Sequence, residues 1–348
     1  MSVRAWTPIF TLMARIGAPF PYNRIVVVCE VPMSSLSRRQ FSSLAAAAAA
    51  AQLTRSLWAA NVAPDPTGRR FHIALIADTH IIDKFYVPGS ENSPEDNASI
   101  LLTSERLVIA RDMINQLSPA IDKVFLLGDY FHNYPSTDYE FYFQNTTRLD
   151  NAKAITDRFT MPVHLAFGNH DYAVKTVDRE MSHRLFQAKF NAKPYSVVDH
   201  KGVRCVLANN FLGSTQDRTA TNFNPGRGSL GETQLQWLEA QFAERKPTYF
   251  FIHYPLVAIE GTEVRDFGLY SLLQKYKDNV QLVVTGHVHK WIDFQRAYGP
   301  EHIVMAATRY DQNAVMLLEI DSATGSYRWV NQNLVEWNTH YAKPYKQA

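Results

Sequence analysis

Residues 282–290 read LVVTGHVHK, an apolar run followed by a glycine and by two histidines one residue apart. The run is short, apolar and rich in β-branched residues, which is typical of a buried β-strand. His287 and His289 then stand directly past the carboxyl end of that strand. A single histidine in such a place is more often a core residue than a ligand, whereas a spaced pair favours a bound ion if other strands supply partners. Fold and function therefore both depend on what ends the other strands.

Length and composition indicate a globular protein with balanced charge. The chain has 348 residues, of which 46% are hydrophobic and 12% aromatic, so it can bury a large core. Lys+Arg 35 against Asp+Glu 33 leave a formal charge of +2, which gives no electrostatic footprint for a nucleic-acid polymer or an anionic membrane. No uninterrupted apolar stretch reaches the roughly 18 residues of a membrane-spanning helix. The two cysteines, Cys29 and Cys205, form no framework, so any metal site must use His, Asp and Asn.

The segment SRRQFSSLAAAAAAAQL, residues 37–53, resembles a twin-arginine (Tat) export signal. Arg38 and Arg39 would form its basic n-region and Ala45–Ala51 its weakly hydrophobic h-region. The alternative is an alanine-rich helical linker with a chance pair of arginines. The signal interpretation predicts a protein exported through the Tat machinery, to the periplasm, with no membrane span in the mature chain.

The position of this segment predicts that the start of translation has been mis-assigned. Signals of this kind lie near the amino terminus, and Met33 opens MSSLSRRQF, which would be an ordinary beginning. Residues 1–32 are therefore predicted to be an upstream extension, and residues 33–63 the signal. Its cleavage is expected near Ala60 or Ala63.

From residue 70 onward, short apolar runs alternate with amphipathic patterns, which predicts an α/β layered fold in one domain. The predicted strands are Ile73–Ala77, Val124–Leu127, Val163–Phe167, Val203–Ala208, Tyr249–Ile252, Leu282–Val284, Ile303–Ala306, Val315–Ile320 and Tyr327–Val330. The predicted helices contain the apolar stripes Leu107–Leu117, Leu235–Phe242 and Leu269–Tyr276. The predicted loops are 84–98, 130–148 and 212–230. The last two strands flank SATG and read as a hairpin, which implies some antiparallel pairing.

Five of the predicted strands stop on Asp, Asn or His. Their terminal motifs are DTH (78–80), GD (128–129), GNHD (168–171), His253 and GHVH (286–289). Each motif alone would arise by chance, but five polar strand ends of ligand type in one chain would not. Since ligands of open α/β sheets bind beyond the carboxyl ends of the strands, these side chains are expected to converge.

The converging side chains are of metal-binding type. The seven candidate ligands are Asp78, His80, Asp129, Asn169, His253, His287 and His289. Oxygen and nitrogen donors in this mixture suit Zn, Mn, Fe or Ni rather than Ca or Cu(I). Seven donors exceed one tetrahedral site and fit two ions if one carboxylate bridges them.

The ordered set of motifs resembles the calcineurin-like metallophosphoesterase superfamily over about residues 71–331. The resemblance implies a four-layer α/β/β/α sandwich with two mixed β-sheets, followed by a C-terminal tail at 332–348. It implies two metal ions, with these ligands: Asp78, His80, Asp129 and His289 for one, and Asp129, Asn169, His253 and His287 for the other. His170 matches the family's catalytic histidine, and Asp171 matches the carboxylate that orients it.

The activity implied by the resemblance is hydrolysis of a small phosphorylated substrate by in-line attack of a hydroxide that bridges the two ions. The same motifs serve enzymes that act on phosphomonoesters and on phosphodiesters, so the substrate stays open. The alternative is a catalytically silent metal-binding scaffold of the same fold. Scaffolds of that kind usually lack ligands or the catalytic histidine, whereas every position is filled here.

Three features outside the motifs bear on substrate and metal. Purple acid phosphatases carry a metal-binding tyrosine three residues after the GD aspartate, where this chain has His132, so a tyrosinate-coloured Fe(III) site is not expected. His132 is expected either to touch substrate or to be an exposed loop histidine. The aromatic residues of 130–143 would stack on a substrate or, more commonly, pack the loop on the core. Arg227 is a candidate phosphate clamp or a surface arginine.

Overall fold

The computed structural model describes residues 49, 52–56, 58–59, 62, 65–173, 175–259 and 268–340. The predicted upstream extension at 1–32, and most of the predicted signal at 33–63, lie outside the described residues. Within the described part of the chain, no helix is both long enough and apolar enough to cross a membrane.

Strands and helices alternate along most of the described chain. The strands are β1 (Arg70–Ile76), β2 (Lys123–Leu127), β3 (Val163–Ala166), β4 (Ser196–His200), β5 (Val203–Leu207), β6 (Thr248–Phe251), β7 (Val280–Thr285), β8 (Ile292–Asp293), β9 (Glu301–Val304), β10 (Val315–Asp321) and β11 (Tyr327–Trp329). From residue 65 onward, the helices are α1 (Pro94–Ile100), α2 (Thr103–Asn115), α3 (Phe141–Gln144), α4 (Arg148–Thr156), α5 (Asn169–Tyr172), α6 (Arg179–Phe190), α7 (Glu232–Ala243) and α8 (Leu269–Lys275). Short 3₁₀ turns cover Ser214–Gln216, Leu256–Ala258 and Gln332–Leu334.

The strands form two mixed sheets. The first has the order β11-β10-β1-β2-β3, in which β1, β2 and β3 are parallel and β10 is antiparallel to both β1 and β11. The second has the order β4-β5-β6-β7-β9-β8, with parallel strands in the middle and antiparallel strands at both edges. Because the inner strands run parallel, their carboxyl ends lie along one edge of each sheet.

Alternation of side chains along the strands produces the layers. In β1, Phe71, Ile73 and Leu75 enter a core shared with strands of the second sheet, whereas Ala74 and Ile76 face helices. Helices α2, α4 and α6 cover the outer face of the first sheet, and α7 and α8 cover that of the second. Three hydrophobic clusters thus separate four layers, and the predicted α/β/β/α sandwich with two mixed sheets is confirmed.

All nine predicted strands are present, and two further strands were missed. β4 is a half-buried edge strand and β8 has only two residues, so neither shows a long apolar run. The prediction of continuous loops at 84–98 and 130–148 is wrong, because α1 begins within the first segment and α3 lies within the second. Ser93 caps the start of α1, because its side chain accepts a hydrogen bond from the Asp96 N–H, and Pro94 occupies the first turn. Such a short polar helix is set by its cap, and an apolar stripe does not mark it.

Packing extends beyond both ends of the predicted domain, 71–331. Trp58 is buried, contacts His72 edge-on with 4.9 Å between ring centroids, and donates its indole N–H to the Pro119 carbonyl at 3.0 Å. Within the predicted tail, Trp337 packs on Trp329 with 5.6 Å between ring centroids. The hydrophobic packing therefore includes residues on either side of the segment that carries the motifs.

Candidate metal centre

The predicted site residues lie past the carboxyl ends of five strands, three in the first sheet and two in the second. They are Asp78 and His80 after β1, Asp129 after β2, Asn169 after β3, His253 after β6, and His287 and His289 after β7. The structure brings all seven together where the ends of the two sheets meet. Asp78, His80, Asp129 and His253 form a buried floor, whereas Asn169, His287 and His289 are only partly buried. A substrate would reach the cluster from that partly exposed side.

One group contains Asp78, His80, Asp129 and His289, each with a ligand atom within 4.8 Å of the others. The Nε2 atoms of His80 and His289 are 3.2 Å apart, and His289 Nε2 lies 3.3 Å from an Asp78 oxygen. Two imidazole nitrogens and two carboxylates thus face a common point, which suits a divalent ion.

A second group contains Asp129, His253 and His287, whose ligand atoms also lie within 4.8 Å of one another. His253 Nε2 is 3.3 Å from Asp129 Oδ2 and 3.1 Å from Asn169 Oδ1, which places the predicted amide ligand in the same group. Asp129 belongs to both groups, so its carboxylate lies between the two candidate ion positions.

The loops that carry these side chains turn through the left-handed backbone region. Five of the seven candidate ligands have positive φ angles: Asp78 (54°), His80 (48°), Asp129 (49°), His287 (71°) and His289 (61°). Non-glycine residues adopt this region at a cost of about 1–3 kcal/mol each, and such residues concentrate at functional sites. The sharp turns direct side chains from separate strands toward one point.

Two glycines allow the loops to approach one another. A Cβ on Gly128, which has φ 89°, would lie 2.6 Å from His253 Nδ1, and a Cβ on Gly168 would lie 2.2 Å from Asp129 Oδ1. Since real Cβ atoms do not come that close, any side chain here would displace a candidate ligand. Glycine at these two positions is therefore what allows the GD and GNHD loops to come this close.

The electrostatics around His253 favour a positive charge. Burial alone would lower the pKa of His253, but the carboxylates of Asp129 and Asp78 outweigh it and raise the pKa to about 9. The ring donates from Nδ1 to the Leu127 carbonyl at 2.8 Å, so its Nε2 faces the oxygens of Asp129 and Asn169. A bound cation would take the place of the proton there, and the donor set therefore fits a metal ion.

Two of the other candidate ligands are held in the form that binds metal. Burial lowers the pKa of His287 to about 4, and burial also holds the pKa of His80 well below its ordinary value. Both rings are therefore neutral at pH 7 and keep a lone pair for coordination.

Among the described residues, no hydrogen bond joins the Asp171 carboxylate to the His170 ring, so the predicted orienting role of Asp171 stays a prediction. Asp171 occupies the first turn of α5, and its carboxylate turns back to accept the N–H groups of Gly168 (2.8 Å), Tyr130 (2.9 Å) and Phe131 (3.2 Å). Among the described residues, His170 Nδ1 has no hydrogen-bond partner, although it is buried. Asp171 instead ties the GNHD loop to the GD loop.

His170 lies beside the two groups and is held by ring contacts. Its ring is stacked on His132 and lies edge-on to His80, with 4.6 Å between centroids in both pairs. Its backbone N–H donates to Asp129 Oδ1 at 2.8 Å. The histidine is thus attached to the carboxylate that the two groups share.

His132 is buried, with 7% of its surface exposed, so the expectation of an exposed loop histidine is wrong. Its Nδ1 lies 3.2 Å from His80 Nδ1, and its Nε2 lies 3.2 Å from a Glu91 oxygen. His80, His132 and His170 form a third group of potential ligands. Sequence reasoning missed Glu91, because it lies in a polar segment remote from the motifs and nothing local marks it.

Most aromatic residues of the 130–143 segment pack on the core. Tyr130, Phe131, Tyr134 and Tyr142 are buried, whereas Phe143 is 48% exposed. These contacts support the packing interpretation over the stacking of substrate for the four buried rings. The guanidinium of Arg227 donates to the Val257 carbonyl at 2.9 Å, which ties together two surface loops.

A family model described as calcineurin-like phosphoesterase matches residues 71–291. No curated protein matches the chain. Similar solved structures include a dimetal phosphatase from Danio rerio, 18% identical, with 71% of this chain and 92% of that chain covered and a TM-score of 0.49. Two others are GAP50, the anchor in the inner membrane complex of Plasmodium (10% identical, 78% and 92% covered, TM-score 0.45), and the calcineurin-like phosphoesterase YfkN from Bacillus subtilis (14% identical, 78% and 93% covered, TM-score 0.40).

Proposed function

Because the chain belongs to the calcineurin-like phosphoesterase family, we propose that it is a metal-dependent hydrolase of phosphoric esters with a two-ion centre. The observation that carries the proposal is the position of Asp129, which belongs to two adjoining groups of ligand atoms. Two ions of a hydrolytic centre lie roughly 3.5–4 Å apart, a distance that one carboxylate can span.

The ligand set divides between the two ions. One ion would be held by Asp78, His80, Asp129 and His289, and the other by Asp129, Asn169, His253 and His287. Oxygen and nitrogen donors of this kind suit Mn, Fe, Zn or Ni. When bound, such ions polarise phosphoryl oxygens and bring the pKa of a coordinated water near neutrality.

The surrounding residues of the chain orient these ligands and supply a donor. The hydrogen bond from His253 Nδ1 to the Leu127 carbonyl fixes the tautomer, so that Nε2 is the free nitrogen. Burial lowers the pKa of His170, which favours its neutral ring at pH 7. A neutral imidazole keeps one N–H, which would donate either to the leaving oxygen of the ester or to an equatorial phosphoryl oxygen.

Metal analysis combined with a substrate panel tests the proposal. The full chain would be loaded with metal and assayed with p-nitrophenyl phosphate, bis(p-nitrophenyl) phosphate and 3′,5′-cyclic nucleotides. Two ions per chain, with chelator-sensitive turnover of at least one ester, are expected, and the preferred ester identifies the substrate class. Two bound ions without turnover of any ester would favour the scaffold alternative. A chain that binds no ions would contradict the proposal.

We also propose that residues 33–63 direct export through the Tat machinery. The support is the order of a twin arginine, an alanine-rich apolar run and small residues near Ala60 and Ala63. A reporter fused after residue 63 should reach the periplasm and lose its signal. Joint replacement of Arg38 and Arg39 by lysine should retain the reporter in the cytoplasm, and unchanged export of that variant would contradict the assignment.

A further inference from the structure

Four side chains, of which Glu91 is partly buried and the other three are buried, form a continuous series of polar contacts that leads away from the candidate ligands. Arg309 Nη2 lies 2.6 Å from Glu91 Oε2, and Glu91 Oε1 lies 3.2 Å from His132 Nε2. His132 Nδ1 then lies 3.2 Å from His80 Nδ1. The contacts join the loop before α1, which carries Glu91, to the GD loop with His132 and the DTH loop with His80. These segments are far apart in sequence.

Each N–H in this series of contacts needs an acceptor, and this requirement fixes the tautomers of His80 and His132. If His80 binds an ion through Nε2, its neutral ring carries its proton on Nδ1, which must donate to His132. His132 Nδ1 must then be an acceptor, and its own proton lies on Nε2 and faces Glu91. Arg309 balances the charge of Glu91, so every donor in the series meets an acceptor.

The backbone of His132 is also fixed. Its carbonyl accepts a hydrogen bond from Arg148, which is paired in turn with Asp83 at 2.9 Å. The ring is stacked on His170 and cannot rotate away without losing that contact. The backbone and the ring of His132 are therefore both held by contacts, and the orientation of the ring follows from the fold.

We propose that Glu91 and His132 are positioning residues that fix the tautomer of His80 and strengthen it as a ligand for one of the two ions. This inference rests on the proposed function. A carboxylate hydrogen-bonded to a ligating histidine raises the basicity of that ligand, and loss of such outer contacts typically weakens metal binding by about 10–100-fold. Here the carboxylate acts through an intervening histidine. Loss of the Glu91 and His132 contacts should therefore weaken the binding of only the ion that His80 holds.

The chain offers a matched control. Arg328, Glu319 and His72 form another Arg–Glu–His series, which matches Arg309, Glu91 and His132, with 3.0 Å from Arg328 Nη2 to Glu319 and 3.3 Å from His72 Nε2 to Glu319. His72 lies in β1 near its amino-terminal end, whereas the candidate ligands follow the carboxyl end of that strand. Glu319→Gln changes the same chemistry away from the ligands.

Calorimetric titration of the metal-free full chain with Mn²⁺ tests the proposal. We expect His132→Leu to weaken the binding of one of the two Mn²⁺ ions by about 10–100-fold. The affinity for the other ion should stay within a few-fold of the wild-type value. His132→Gln, which keeps an acceptor for His80 and a donor for Glu91, should restore most of the affinity. Glu91→Gln should weaken the binding of the same ion by a smaller factor. This variant tests the proposal if His132→Leu does not fold. Glu319→Gln should bind both ions as the wild type does.

Three outcomes would overturn the role of Glu91 and His132. They are unchanged affinity for both ions in His132→Leu, equal loss of both ions, and an equal effect of Glu319→Gln. A wild-type chain that binds fewer than two Mn²⁺ ions would instead contradict the proposed function itself, so the two failures are distinguishable.

Discussion

At the scale of single residues, Asp129 is shared by two groups of ligand atoms. One of its oxygens accepts the backbone N–H of His170 at 2.8 Å. The other lies 3.3 Å from His253 Nε2 and 3.6 Å from His80 Nε2. Its carboxylate therefore has to serve both groups of ligand atoms while it anchors the loop that carries His170.

We predict that Asp129→Asn removes both ions together. The amide keeps an oxygen for the His170 N–H, but it lacks the negative charge that the two ions would share. The metal content of the desalted protein measures the effect. Asp122→Asn is the control, because Asp122 also accepts hydrogen bonds from histidines but lies away from the ligands. Two ions retained in Asp129→Asn would refute the shared role.

We predict that His170→Ala lowers kcat by about 10²–10⁴ while the metal content stays unchanged, since the ring is a proposed donor to substrate and belongs to neither proposed ligand set. Steady-state kinetics with the best ester of the panel, together with metal analysis, checks both parts. The control is His164→Ala, because His164 is a partly buried histidine in β3. Turnover equal to that of the wild type would remove His170 from the mechanism.

At the scale of secondary-structure elements, the sequence predicts the candidate ligands well because each lies within a few residues of a strand end. An apolar run identifies the strand, and the polar residue that stops it is then visible in the same short window. The residues that contact those ligands and hold their loops cannot be predicted from such a short window of sequence. Glu91 meets His132, and Asp171 meets Tyr130 and Phe131, only because the fold brings separate loops together.

Strand β9 contains a histidine that should make stability depend on pH. His302 is fully buried, is stacked on Phe294 with 5.0 Å between ring centroids, and lies 3.1 Å from the Thr285 hydroxyl. Burial lowers the pKa of His302 to about 3. Since the unfolded chain binds the proton more tightly, the stability contributed by the neutral ring is present above pH 6.5 and is lost as the pH falls toward 3.

We predict that this residue alone reduces the free energy of unfolding by about 2 kcal/mol between pH 7 and pH 5. His302→Phe keeps an aromatic ring against Phe294 and removes the titration, so its stability should depend less on pH by that amount. Urea unfolding of both proteins in chelator at the two pH values measures the difference. An identical pH dependence would show that His302 does not stay neutral in the folded protein.

At the scale of the whole molecule, neither sheet contains a complete site. The first sheet supplies Asp78, His80, Asp129 and Asn169, and the second supplies His253, His287 and His289. Bound ions would therefore link the ends of both sheets and neutralise carboxylates that are buried there.

We predict that chelation lowers the thermal stability of the protein. An ion that binds only the folded state stabilises it by about 4 kcal/mol at 1,000 times its Kd, so the Tm should rise by roughly 5 °C or more on addition of Mn²⁺ to the metal-free chain. Differential scanning calorimetry with and without metal measures this. Asp129→Asn should show little response, and a wild-type Tm that does not depend on metal would contradict a centre that joins the sheets.

The layered architecture follows from the sequence, but the order of the strands does not. Alternation in β1 indicates which residues face the inner core, and the hairpin β10–β11 is marked by the turn between its strands. The pairing of β1 with β10 depends on the contact of segments from opposite ends of the domain. No local pattern encodes that pairing, so only the resemblance to a known family suggested the arrangement.

The pairing of β1 with β10 has a consequence for biosynthesis. Arg70 is in register with Asp321, so one side of β1 has no neighbour until nearly the whole domain has left the ribosome. Until then β1 has an open edge, which is prone to wrong pairing, and contacts of such long sequence separation form slowly. Asp78 and His80, which follow β1, would thus be fixed in place only after translation of the domain is almost complete, and metal would be acquired late.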